Sequence, residues 1–324
     1  MKKFVFKTLF ASALVAAVLA GCKKEKNEDI DTDTSAAEDN AFAENTSSDI
    51  NSIADQAVDG TGSLNSFRLE DASSVLTACA TVTRDTINHI ITVTFNGTPC
   101  IDGRTRSGVL TFDYSASPAG SKHYRDPGFT CTVTSSNYVV DGNQINIINK
   151  TISNITHSGN PIGYDPMTEN EKWHITANIN ITRTNGAVLS WICDRTKELL
   201  NTSATCPASD FANFPFSDTI PINWPMARVG ITGSATGTRT YNSVTESVSV
   251  TITSQLVRDF GACSDGNRHP FFMGELDHTR SGHPTRHLNY GSDAAGNISN
   301  NCDKWVLITF TVNGNPHSVV RAMY

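Results

Sequence analysis

The chain has 324 residues, 38% of them hydrophobic and 18% charged, with a formal net charge of −7. That is enough chain for one or two domains with a sizeable core. Residues 1–21 hold three lysines and no acid, so the remainder carries −7 less those three positive charges, or −10. A surface that acidic repels phosphate backbones and excludes nucleic acid as an expected partner.

At the N-terminus, Lys2 and Lys3 precede an apolar run from Leu9 to Ala20 broken only by Ser12. The run is too short to span a bilayer and suits the central region of a signal peptide. It closes on Leu19-Ala20-Gly21-Cys22, which resembles the lipobox of bacterial lipoproteins. The resemblance implies removal of residues 1–21 and lipidation of Cys22, with diacylglycerol on the thiol and a further acyl chain such as palmitate on the new amino group. Two or three acyl chains hold a soluble body on a membrane far more firmly than one. Lys23 stands where an Asp would signal inner-membrane retention in enteric bacteria. The charged run 23–33 is similar to the tethers of surface lipoproteins in Bacteroidota. The expectation is a lipid anchor in the outer membrane, with display at the cell surface favoured.

Residues 22–46 are polar and acidic and read as a flexible tether. Asp29, Asp31 and Asp33 have the spacing of a calcium loop, but Thr34 replaces its glycine and Asn40 its final glutamate. Within 47–60, Ile50, Ile53, Ala54, Ala57 and Val58 recur at helical spacing. Ser47 or Ser48 can cap the start and Gly60 can end it, which predicts one short helix.

From 67 to 324 the pattern has period two. Abundant threonine, serine, asparagine and isoleucine favour strands and turns. Asn96-Gly97, Asp102-Gly103, Asp141-Gly142, Asn185-Gly186 and Asn313-Gly314 supply hairpin turns. A two-residue turn at Asn313-Gly314 opposes Phe310 to His317 and Ile308 to Val319. A three-residue loop ending at Gly186 opposes Ile181 to Leu189 and Ile179 to Trp191. Pro316 marks the last strand as an edge. The predicted fold class is all-β, an antiparallel meander forming a sandwich or a curled half-barrel. An irregular insertion at 197–228 interrupts it; Phe211, Phe214, Phe216 and Trp224 there either cover the sheet or face a ligand.

With Cys22 lipidated, seven cysteines remain, an odd number for an oxidising compartment. Position along the hairpins suggests Cys79 with Cys100, Cys193 with Cys206 and Cys263 with Cys302, leaving Cys131 as the free thiol. Spacing alone leaves other connectivities open. The stretch 269–287 places His278, His283 and His287 near Glu275 and Asp277, a candidate metal site. No nucleophile elbow, phosphate loop or dinucleotide fingerprint occurs, so no cofactor and no catalytic residue is assigned.

"CATVTRDT", "CIDGRTRSGVLTFDYS", "YRDPG" (124–128), "GSATGTR" (233–239) and "PTRHLNYGS" followed by "NNCDKWVLITFTVNG" occur in linked order. Together they resemble a group of Bacteroidota lipoproteins with a lipobox, a short helix and an antiparallel β domain. The resemblance implies this fold and location and no particular activity. The functional expectation is a non-catalytic binding or structural role, contacting a glycan or an envelope protein. The alternative is a hydrolase or metal-dependent enzyme on the same scaffold.

Overall fold

The computed structural model describes residues 33–58, 79–156 apart from 120, 122 and 125, 170–200, 228–259, 263 and 270–322. Of these, Asp33 onward forms one compact unit. It contains one helix, α1 (Ser35–Val58), and thirteen strands. The strands are β1 (Ala80–Asp85), β2 (Ile90–Pro99), β3 (Thr105–Asp113), β4 (Thr130–Val140), β5 (Asn143–Asn154), β6 (Lys172–Thr182) and β7 (Val188–Leu199). They continue as β8 (Arg228–Tyr241), β9 (Val244–Asp259), β10 (Met273–Arg280), β11 (Arg286–Asn289), β12 (Trp305–Val312) and β13 (Asn315–Ala322). All thirteen pair in sequence order in a single antiparallel sheet that does not close, with β1 and β13 as its edges. The sandwich alternative is therefore excluded and the curled, open sheet stands.

Local chemistry accounts for the turns. Asp141-Gly142 and Asn313-Gly314 hold both residues at positive φ, as two-residue hairpins require. Asn242-Ser243 makes the same turn without a glycine, so its sequence lacks the Asn-Gly or Asp-Gly signature. The register around Gly314 opposes Phe310 to His317 and Ile308 to Val319, and that around Gly186 opposes Ile181 to Leu189, both as expected. Pro316 lies in the edge strand β13. One turn differs. Asn96-Gly97 lies inside β2, where Gly97 takes φ +83° and the register against β3 slips between Asn96 and Pro99. The chain reverses instead at 100–104, where the Asp102 carboxylate accepts the Arg104 N–H at 3.1 Å. The positive φ of Asn-Gly thus makes a bulge here rather than a hairpin.

Because neighbouring strands are antiparallel throughout, the connections fall at two ends. Segments 100–104, 141–142, 183–187, 242–243, 281–285 and 313–314 share one end. The strand ends that flank 86–89, 114–129, 155–171, 200–227, 260–272 and 290–304 lie at the other. Strand ends joined by short turns thus gather at one end, and those joined through longer stretches of sequence, apart from 86–89, at the other. The insertion expected at 197–228 is narrower than its composition suggests, since β7 runs to Leu199 and β8 starts at Arg228.

The helix is the main departure from expectation. It begins at Ser35 rather than 47, so half of the expected tether is helical. Ala36, Ala37, Ala41 and Ala43 favour that extension by propensity. The Asp33 carboxylate caps it, accepting the Ser35 N–H at 2.9 Å. The extension was illegible because its buried residues include Asp39, Asn40 and Glu44, which read as solvated. No helix among the described residues is long and apolar enough to cross a membrane.

The sheet curls around α1. Inward positions of successive strands supply Ile91 and Val93, Leu110 and Phe112, Ile175 and Ile179, Trp191, Leu276 and Ile308, all buried with Ile50, Ile53 and Ala54 of the helix. Burying such side chains contributes about 1.5–3 kcal/mol each. The Cys79–Cys100 disulfide closes the first hairpin, and a loop of that size contributes about 3 kcal/mol in the chain-entropy treatment. Cys263 and Cys302 are also paired.

Candidate functional site

Strand alternation decides where the expected site residues point. Asp277 and His287 face each other across β10 and β11 on the outer surface, with Nδ1 and Oδ1 2.6 Å apart. His278, one residue along, turns inward and is 2% exposed. His283 sits in the following turn, its Nε2 3.1 Å from Glu246 Oε1. The three histidines thus occupy the inner face, the outer face and a turn, and do not converge. Among the described residues no group of three His, Cys, Asp or Glu side chains is placed to hold a metal ion. The metal expectation is corrected accordingly: period-two geometry separates residues that are close in sequence.

Two of the three expected cysteine pairs form. The third does not: Cys193 is a buried free thiol, in phase with Trp191 on the inner face of β7. Cys131 is free and buried as expected. Burial pushes the Cys131 thiol well up and the Cys193 thiol up to about 11, so neither is a reactive thiolate at neutral pH. Cys22, Cys206, Phe211, Phe214, Phe216 and Trp224 lie outside the described residues.

Inside the sheet lies an arrangement of charge that sequence reading missed. Along α1, Asp39 meets Arg183 at 3.0 Å and Arg239 at 2.8 Å, and Glu44 meets Arg195 at 2.6 Å. Asp49 meets Arg106 at 2.8 Å, and Asp55 meets Lys197 at 3.7 Å. Asp33, just before the helix, meets Arg280 at 2.7 Å. Burial pushes the Asp33 carboxyl up, yet hydrogen bonds from Ser35 and the Arg280 guanidinium hold it well below the usual carboxylate range. Lys150 is fully buried; its Nζ donates to Ser47 Oγ at 2.9 Å, and burial lowers its pKa to about 8. The cations come from five strands and one turn, and the acids from α1 and Asp33 just before it. A signal for this was present in the strands. Arg195 and Lys197 share the phase of Trp191, and Arg280 that of Leu276, so cations at core positions demanded an acidic partner. Beside the helix a cavity of about 20 Å³ remains between Asn40, Trp191 and Arg239. The helix fills the interior there.

The outer face carries the larger concavities. One groove, of about 580 Å³, crosses β4–β8 and is lined by Ser135, Asn137, Asn146, Asn180, Thr182 and Thr238, among others. A second, of about 330 Å³, is lined by Asn149, Thr176, Asn178, Ile192, Asp194 and Thr236 with their neighbours. Two irregularities shape this surface. Gly108 at φ +87° packs so closely that a Cβ there would meet the Asn137 carbonyl, and Asn137 itself has φ +48°. The β4–β5 ladder opens between Val133 and Tyr138, where Ser135 Oγ accepts the Ile147 N–H at 2.9 Å. Val188, Ile148 and Ile192 add exposed aliphatic surface. Asp194 carries charge at the groove edge, where it meets His174 at 2.9 Å. Beside these aliphatic groups and Asp194, the polar part of the lining is amide and hydroxyl, which can donate and accept hydrogen bonds at once.

Comparison of the chain with protein-family models, with curated proteins and with solved structures found no match.

Proposed function

We propose that the protein is a lipid-anchored envelope lipoprotein of the outer membrane with a non-catalytic binding role. The observation that carries the anchor is Leu19-Ala20-Gly21-Cys22 at the end of a short apolar run. Binding through the outer face is supported by the chemistry of the groove. Its amides and hydroxyls suit hydrogen bonding to an uncharged, polyhydroxylated partner such as a glycan, or to the backbone of an envelope protein.

Two measurements test the reading. Cells fed labelled palmitate incorporate it into the wild type and not into Cys22→Ala; equal labelling of both sinks the anchor. Screened on neutral glycans and envelope proteins, the domain captures a partner, and Asn180→Lys with Thr238→Lys abolishes that capture. Both positions are exposed and outside the core, so the double variant keeps its fold. Undiminished capture by it removes the groove from the proposal.

A further inference from the structure

The buried carboxylates of α1 meet arginine at Asp39, Glu44 and Asp49, and lysine at Asp55. The difference is chemical. An arginine guanidinium stays protonated and delocalised, so an arginine pair is ionic and nothing else. A lysine amine brought into an apolar site can lose its proton and become a nucleophile.

The Lys197–Asp55 site has the features such chemistry needs. Lys197 Nζ lies 3.7 Å from Asp55 Oδ2, with side chains 6% and 0% exposed. The amine sits over the rings of Trp173 and Tyr124, at 4.8 and 5.3 Å from their centroids. Those rings stack at 5.2 Å, and Trp173 Nε1 donates to the Tyr124 carbonyl at 3.0 Å, which fixes the aromatic wall. A second carboxyl stands just before the neighbouring strand, one inward position from the residue paired with Lys197. Glu171 is buried, and its carbonyl accepts the N–H of Leu199, two residues beyond Lys197. Alternation puts Glu171 on the same inward face as Trp173, the residue paired with Lys197.

We propose that Lys197 and Asp55 join in an intramolecular isopeptide bond, with Glu171 relaying the proton. Within the pair, a proton passes from ammonium to carboxylate, giving a neutral amine and a neutral acid, the forms an apolar site favours. The nitrogen lone pair attacks Cγ and the C–N bond forms. Glu171 takes a proton from the attacking nitrogen and delivers it to the departing hydroxyl. The Cγ–O bond breaks, one water leaves, and Glu171 returns to its starting state. No oxidant or other co-reactant enters. Strand and helix hold amine and acid together, which replaces an encounter between separate groups with an internal step. The product carries no charge, so the cost of keeping an ion pair in that pocket disappears.

The test is proteolysis of the purified, folded wild-type chain followed by mass spectrometry of the fragments. The expected result is a branched peptide joining the Lys197 and Asp55 fragments, lighter by one water than the two together. Glu171→Gln, checked for native circular dichroism, leaves the two fragments separate; a full yield of branched peptide from it removes Glu171 from the step. Lys197→Arg abolishes the branch. Should that variant not fold, the wild-type digest still decides. Recovery of both residues in linear peptides from folded wild type overturns the proposal.

Discussion

His278 shows how one buried side chain ties stability to pH. Burial lowers its pKa to about 4, and Arg280, Arg286 and Arg239 add to the shift by repelling a proton. The unfolded chain holds its histidine near 6.5, so between about 6.5 and 4 the unfolded state binds more protons. Stability therefore falls as pH drops through that window, by on the order of 3 kcal/mol from this residue alone. Urea denaturation at pH 7 and at pH 4 measures the fall, and His278→Gln shrinks it. An equally steep loss in the variant refutes the assignment. The residue's neighbour in sequence, Asp277, faces outward, which is why four histidines within 269–287 looked like a cluster when only position along the chain was visible.

At the scale of the element, α1 and the strands differ in what their sequence betrays. Strand phase follows from alternation and turn chemistry, and the registers at Gly186 and Gly314 could be assigned to the residue. The helix could not be bounded that way. Its N-terminal half has no aliphatic stripe, and its polar face is buried by arginines that are remote in sequence, such as Arg195, 151 positions from Glu44. Nothing local distinguishes a carboxylate facing water from one facing a guanidinium. The same pairing makes a sharp prediction. Glu44→Gln leaves the Arg195 charge buried without its counter-ion and destabilises the fold by about 3–5 kcal/mol. Replacing both, Glu44→Met with Arg195→Met, recovers most of that loss, because two apolar side chains avoid the desolvation cost altogether. Chemical denaturation of the single and double variants decides it; equal losses in both would show that shape, not charge, holds the helix. The outer groove was legible only as residue types. The Thr, Ser and Asn positions of β4–β8 are outward by phase, but the opening of the β4–β5 ladder depends on Gly108 and Asn137 meeting across strands.

At the scale of the whole molecule, the sheet and helix form one cooperative unit. The helix supplies the interior anions and the sheet the interior cations, so neither has a satisfied core without the other. A chain lacking residues 33–58 is expected to show no cooperative thermal transition by circular dichroism, in contrast to the intact chain. A sharp transition in the truncated chain would mean that the sheet carries its own core. The exposed edges are short: β1 has six residues and β13 carries Pro316 and Arg321, which discourage pairing with another copy.

The unequal ends of the meander bear on how such a scaffold can change. Tight turns of fixed chemistry tolerate little, since an added residue shifts a register and turns side chains to the wrong face. Lengthening a connection that is already long costs only about 0.6 kcal/mol per doubling. New sequence can therefore accumulate at one pole of the molecule while the other stays frozen. A foreign peptide grafted within 290–304 should leave the fold standing where the same graft at 141–142 would not. The protein has, in engineering terms, one end to build on.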